Sequence, residues 1–273
     1  MTGGPDPRFV QARASLLDAL DALEAHHSSL TLVGAQAVYL RTGPGNLGVA
    51  AYTTDGDLAL DPALMAREPL IELAMTSRGF ARGDQPGAWL SKDGIVVDLL
   101  VAYDVAGKGR RSVQIPPHDK NAARRAKGLE TALVNRTIEE FGSLDAADSR
   151  SHRIGVAGPV ALLVAKAHKL GERVAAKKGG RTRPKDALDI YRLLLAYDTA
   201  VLVDMAVPLL IDPRCMAATA EAFTSLERLF DPKHPVGAEF VAQSLLTSAN
   251  PVEVMDSSMD LIHRLLTGIR SRG

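Results

Sequence analysis

The run GIVVDLLVAY, residues 94–103, constrains this chain more than any other stretch. It is apolar and rich in β-branched residues, the composition of a strand buried on both faces. One charge interrupts it, Asp98. A carboxylate inside such a strand costs several kcal/mol to bury unless it is paired or bound to a cation. Either Asp98 sits at a strand end or is satisfied by backbone donors, or it stands beside a second strand that shares its charge. YTTDGDLAL, residues 52–60, is a candidate for that second strand. Asp55 and Asp57 lie two apart, so in an extended chain their carboxylates share one face. Like charges that close repel unless one is protonated or a cation sits between them. The pair is therefore a solvated strand end or half of a metal site. With Asp98 on an adjacent strand, the three carboxylates would form an oxygen-rich cage, suited to magnesium rather than zinc.

The remaining pattern predicts an α+β fold with a mixed β-sheet core and flanking helices, followed by a helical half. Apolar positions Val10, Leu16, Leu17, Leu20 and Leu23 give a helix over 8–26. LTLVG (30–34) reads as a buried strand and AQAVYLR (35–41) as a short helix, with TGPGNLG (42–48) a loop. After the strand Asp55–Leu60, a helix is expected over 61–79, with Asp61 as its cap and Pro62 at its first position. Two strands follow around 80–92. From Pro159 the periodicity is helical, over 159–176, 184–197 and several later segments. These patterns divide the chain into a β-rich part, 1–157, and a helical part, 158–273.

At 273 residues, 46% apolar and 23% charged, the composition is that of a soluble globular protein. The single Cys215 excludes an internal disulfide framework and a cysteine zinc cluster, which fits a cytoplasmic setting. MTGGPDP reads as a short arm without a leader's basic and apolar regions. The longest apolar stretch, AVLVDMAVPLLI (200–211), is too short for a bilayer and contains Asp204 and Pro208, so no membrane role is expected. The net charge of zero conceals a basic middle: residues 104–186 hold 18 Lys and Arg against 9 Asp and Glu. That pattern suits a face that meets a polyanion, or a set of solvated helix faces. KGRR (108–111), KNAARRAK (120–127) and the Gly-containing RVAAKKGGRTRPK (173–185) carry much of it.

The junction of strand, Gly34 and helix start is either turn chemistry or a phosphate cradle, since free N–H groups and the positive dipole end gather there. LVGAQAVYLRTG, TTDGDLAL and IVVDLLV, in that order, resemble the nucleotidyltransferase superfamily, with its Gly-Gly/Ser, Asp-x-Asp and third Asp on a later strand. LLVAKAHKLGER (162–173) and RPKDALDIYRLLL (183–195) resemble the later helices of AbiEii-type and MenT-type nucleotidyltransferase toxins. The resemblance covers roughly residues 30–196.

It implies that Asp55, Asp57 and Asp98 bind Mg²⁺ and that Gly34 and Ala35 line the phosphate loop. Lys166 would meet a phosphate, helped by Lys169 one turn on, with Asp186 and Asp189 as the paired aspartates of the last motif. Two departures stand out. Ala35 replaces a Gly or Ser, which removes a hydroxyl contact but keeps the N–H, and AAYTT replaces the Arg often found before the Asp pair. Thr53 and Thr54 are either hydroxyl donors to the nucleotide or simply good strand formers. Asp186 and Asp189, at i and i+3, either organise the cleft or form a salt-bridged surface helix with Lys185 and Arg192. His168 faces away from Lys166 and reads as non-catalytic.

The implied reaction is Mg²⁺-dependent transfer of nucleotides from an NTP to RNA, the tRNA 3′ end first among acceptors, with a cognate antitoxin protein as a possible partner. At 4% aromatic residues, stacking platforms are scarce, which favours a structured RNA end read through phosphate and shape. A nucleotidyltransferase of the antibiotic-modifying kind would want an acidic pocket for its small cationic substrate. A degenerate module that only binds RNA or protein would have no use for three carboxylates.

Overall fold

A computed structural model of the chain describes residues 5–43, 47, 52–176 and 185–272. It contains two compact units. The first comprises Met1–Ala37, Ala50–Leu129 and Arg136–Ala157. The second comprises Val38–Val49, Glu130–Asn135 and Gly158–Gly273. The chain is α+β, with a mixed sheet and many helices.

Among the described residues, the first unit is built on eight strands. They are β1 (Leu30–Val33), β2 (Asp55–Leu60), β3 (Ala81–Arg82), β4 (Ala88–Leu90), β5 (Val96–Ala102), β6 (Arg124–Ala126), β7 (Arg136–Gly142) and β8 (Ser151–Ala157). Their order is β3-β4-β5-β2-β1-β8-β7, with β6 also on β5. β2 and β5 run parallel, as do β1 and β8, whereas β1 and β2 are antiparallel. Beyond β2, the other edge of β5 is shared: β4 pairs with Val96–Asp98 and β6 with Leu100–Ala102. Leu58, Leu60, Val97, Leu99 and Val101 are fully buried, as the apolar runs require.

Helix α1 (Pro7–Ala22) packs on β2, β5 and β8. Asp6 caps it, accepting from Arg8 N at 2.8 Å, with Pro7 at the first position where its missing N–H is harmless. The helix expected over 8–26 stops at Ala22, and Glu24–Ser29 tightens into a 3₁₀ turn. His and Ser are weak helix formers, and the Ser29 hydroxyl donates to the His26 carbonyl (2.7 Å), satisfying it outside a helix.

Residues 61–79 depart further from expectation. Asp61 caps a single turn, its carboxylate accepting from Ala63 N at 3.0 Å and its carbonyl from Leu64 N at 3.1 Å. Helix α3 spans only Ile71–Ser77. Pro69 supplies no N–H and pushes Glu68 out of the helical region, which separates the two halves of the apolar pattern. Strands β7 and β8 were not anticipated. RTIEEFG forms an edge strand with mostly uncovered side chains, so it lacks an apolar period.

The second unit is helical apart from its first connections. Helix α2 (Gly34–Thr42) begins in the first unit's stretch of chain and continues into this one. Helices α4 (Pro159–Ala175), α5 (Lys185–Ala196), α6 (Thr199–Leu209), α7 (Met216–Leu229), α8 (Val236–Ser244) and α9 (Pro251–Arg270) make up the rest. α4 packs on α5 and α7, and α9 on α6 and α8. Asn135 closes the start of α4: its side-chain oxygen accepts from Ala161 N (3.1 Å), its carbonyl from Gly158 N (2.7 Å). Among the described residues, no helix is long and apolar enough to cross a membrane.

A candidate carboxylate site on strands β2 and β5

Parallel pairing of β2 and β5 sets Asp57 directly beside Asp98, and Asp55 beside Val96. Adjacent strands lie about 4.8 Å apart, and residues two apart share a face, so all three carboxylates belong to one face of the sheet. Gly56, between the aspartates, points to the other face. There Leu16 of α1 packs so closely that a Cβ on Gly56 would lie 2.9 Å from its Cδ1. The DGD sequence thus reconciles a carboxylate face with a helix pressed onto the reverse side.

Gly34 enters at the same place. β1 ends with Val33 opposite Asp57, and Gly34 opens α2 with φ +69°. A Cβ built there would fall inside the Asp57 carboxylate. Only glycine both adopts that backbone conformation and leaves the space. Beyond it Ala35 is buried, as is Thr53, whose hydroxyl donates to Asp55 Oδ1. Thr54 is exposed. Of the two roles open to Thr53, nucleotide contact or strand former, neither describes this hydroxyl bond to Asp55.

Two supporting residues escaped the sequence reading. Gln36, in the first turn of α2, donates through Nε2 to the Asp55 carbonyl (3.1 Å) and accepts from Arg13 Nε (2.7 Å). Arg13, on α1, also donates to the Gly142 carbonyl (2.7 Å) and lies 3.9 Å from the Phe141 ring centroid. Burial pushes its guanidinium down to about 10. The available signal was a lone cation within the apolar stripe of α1, at a position shared with Phe9, Leu16, Leu17 and Leu20.

Asp98 has a partner of its own. Arg124 of β6 donates to its Oδ2 at 2.7 Å, and the Asp98 side chain is 17% exposed. The closed three-carboxylate cage is therefore not formed: among the described residues, no group of three His, Cys, Asp or Glu is gathered to hold a metal ion. The donor set nonetheless suits Mg²⁺. All its atoms are carboxylate oxygens, the ligands of a hard cation, and Gly34 leaves the Asp57 carboxylate a cradle that any side chain would fill.

Lys166, Asp186 and Asp189 come together elsewhere, in the second unit. Lys166 Nζ donates to Asp186 Oδ1 (3.1 Å) and Asp189 Oδ2 (2.6 Å), and Arg173 also pairs with Asp186. All three central residues are at most 4% exposed. Burial opposes the charge on Lys166, but the two aspartates outweigh it and raise its pKa. Burial likewise opposes ionisation of Asp186, and Lys166, Lys169 and Arg173 reverse that and lower it. Instead of offering a bare charge to phosphate, Lys166 clamps α5 to α4. The aspartates do not lie on a surface helix: α5 is buried at this point, and Lys166 of α4 supplies a countercharge. Lys169 is exposed. His168 is bonded to the Ala218 carbonyl at 2.8 Å. The basic loop at 173–185 falls largely outside the described residues, as does most of the loop at 42–48.

The chain matches no protein-family model and no curated protein. Among solved structures it is similar to the CD-NTase CdnG of Bradyrhizobium diazoefficiens in complex with GTP. Identity is 13%, with 98% of this chain and 88% of that one covered, and the TM-score is 0.26, too slight a likeness to argue from.

Proposed function

We propose that the protein is a Mg²⁺-dependent nucleotidyltransferase that transfers nucleotides from an NTP to RNA, the tRNA 3′ end being the leading acceptor. The observation that carries this reading is the register of Asp57 on β2 with Asp98 on β5, with Gly34 at the start of α2 seated against Asp57. In the transfer, the acceptor hydroxyl oxygen bonds to the α-phosphorus and the bond to the β-phosphate bridging oxygen breaks. Pyrophosphate leaves and the hydroxyl proton passes to a base. Mg²⁺, when bound, would neutralise the phosphate charge that builds up in this step.

The chain's own residues have separate tasks. Asp55 and Asp57 would hold the cation. The N–H groups of Gly34 and Ala35, at the positive end of α2, would receive the triphosphate. Asp98 would accept the hydroxyl proton, or join the metal once Arg124 is withdrawn. Gln36 and Arg13 fix α2 against β2, so that phosphate cradle and carboxylates keep one geometry. The resemblance to AbiEii-type and MenT-type toxins adds a neutralising antitoxin as a partner.

The test is incubation with Mg²⁺, total tRNA and each labelled NTP in turn, beside Asp55→Asn and Asp57→Asn variants. Label should enter tRNA with at least one NTP and be lost in both variants. Label entering no RNA with any NTP would refute the reading.

A further inference from the structure

The two basic motifs KGRR and KNAARRAK are distinct in sequence, yet a bridge between Ser112 and Arg124 joins them on the β6 side of β5. Beside it lies a cleft of about 680 Å³, lined by Asp98, Arg111, Arg124, Arg125, Asp84 and Gln85 among others. Its guanidiniums are held in place. Arg111 donates to Gln85 Oε1 (2.5 Å). Arg125, the next residue of β6, faces the other side of the sheet, donating to the Gly107 carbonyl (2.5 Å) and lying 4.9 Å from the Tyr103 ring centroid. Arg124 reaches down to Asp98. Two guanidiniums beside one hollow, Arg111 and Arg124, form a phosphate-binding pair, because each presents a fork that matches oxyanion geometry.

The sheet order says which phosphate. Asp55, Asp57 and Gly34 lie on the β2–β1 side of β5, while the arginine cleft lies on its β4–β6 side, and Asp98 stands on the strand between. A triphosphate on Gly34 and an anion in the cleft would thus flank Asp98.

We propose that this cleft binds a backbone phosphate of the RNA acceptor, and that the phosphate draws Arg124 away from Asp98. Acceptor binding thereby releases the third carboxylate. The assignment rests on the nucleotidyl-transfer reading for its choice of RNA, but binding tests it without turnover.

The full chain is titrated with fluorescent tRNA over a range of salt, without NTP or divalent metal. Arg111→Gln and Arg124→Gln should each weaken binding and flatten the slope of log K against log salt, together by about 0.7 to 0.9, the share of the one phosphate they hold. Arg228→Gln, at an exposed position of α7, should leave both unchanged. Binding of GTP or ATP alone should not respond to Arg111→Gln, whereas a triphosphate source for the anion would make it fall. In a second arm Mn²⁺ alone is titrated. Arg124→Gln should bind it several-fold more tightly than the parent protein, because Asp98 is released, and Arg111→Gln should not. An unchanged salt slope in both cleft variants overturns the phosphate site, and an unchanged Mn²⁺ affinity in Arg124→Gln overturns the release of Asp98. If tRNA binds through the arginines yet no NTP labels it, the cleft stands and the nucleotidyl-transfer reading fails.

Discussion

Replacing Lys166 with Met removes the cation from a pocket that also holds two aspartates. Asp186 keeps Arg173, which also pairs with it. Asp189 fares worse: it is 0% exposed, Lys166 donates to its Oδ2, and among the described residues its buried Oδ1 has no hydrogen-bond partner. Removing one partner of a buried pair typically destabilises by about 3–5 kcal/mol, because the surviving charge stays desolvated. At an m-value of about 2 kcal/mol per molar urea, the unfolding midpoint should fall by roughly 2 M. Far-UV circular dichroism is the assay, since the second unit is helical. Adding Asp189→Leu to Lys166→Met removes the stranded charge, so the double variant should be more stable than Lys166→Met, with a coupling of about 1 kcal/mol or more. The pH dependence has a definite sign. Asp186 is held below its ordinary pKa, so its contribution is present above the carboxylate range and lost as pH falls through it. Parent and variant should therefore converge in acid. A Lys166→Met protein within about 1 kcal/mol of the parent, or additive with Asp189→Leu, would refute the clamp.

Gly34→Ala should destabilise the first unit by about 1–3 kcal/mol and weaken Mn²⁺ binding, because the new methyl strains the backbone and displaces the Asp57 carboxylate; melting and metal titration measure the two effects. Arg13→Ala should lower stability by about 2–4 kcal/mol, leaving Gln36 and the Gly142 carbonyl without their donor, as urea unfolding would show. His26, whose pKa is lowered by burial, with His118 and His27 adding to the effect, takes up its proton more readily when unfolded. Stability should therefore decline as pH falls below about 6.5 and level off once the folded-state value is passed, and a His26→Gln variant should show less of that decline.

Much of the sheet was legible because its strands are apolar and bounded by turn residues. Asp55–Leu60 and the run around Asp98 form strands as their patterns required, and β1 ends where Gly34 interrupts it. What the sequence could not convey was pairing. Nothing local to Asp57 or Asp98 says that they stand side by side, because register is a long-range property. Nor could local pattern show that Arg124, an unremarkable member of a basic run, would be delivered to Asp98 by β6. The edge strand β7 was missed because its uncovered residues carry no apolar period. Lys166 was seen as a cation on a helix, but its fate depended on α5, some twenty residues away. The supporting pair Arg13 and Gln36 is likewise visible only when α1, α2 and β2 are together.

The side-by-side placement of Asp57 and Asp98 gives the site a parity. Along a strand, even shifts preserve which side of the sheet a residue serves, and odd shifts reverse it. Inserting one residue in β2 just after Asp57, with Leu58–Leu60 held in register, would turn both aspartates toward Leu16 and bring Gly56 round to Gly34. An insertion of two would keep the correct side but break the alignment with Asp98. Length variation in such a chain is therefore confined to the connections outside β2 and β5. Any homologous sequence that keeps the carboxylates while changing the length of either strand must carry a compensating bulge.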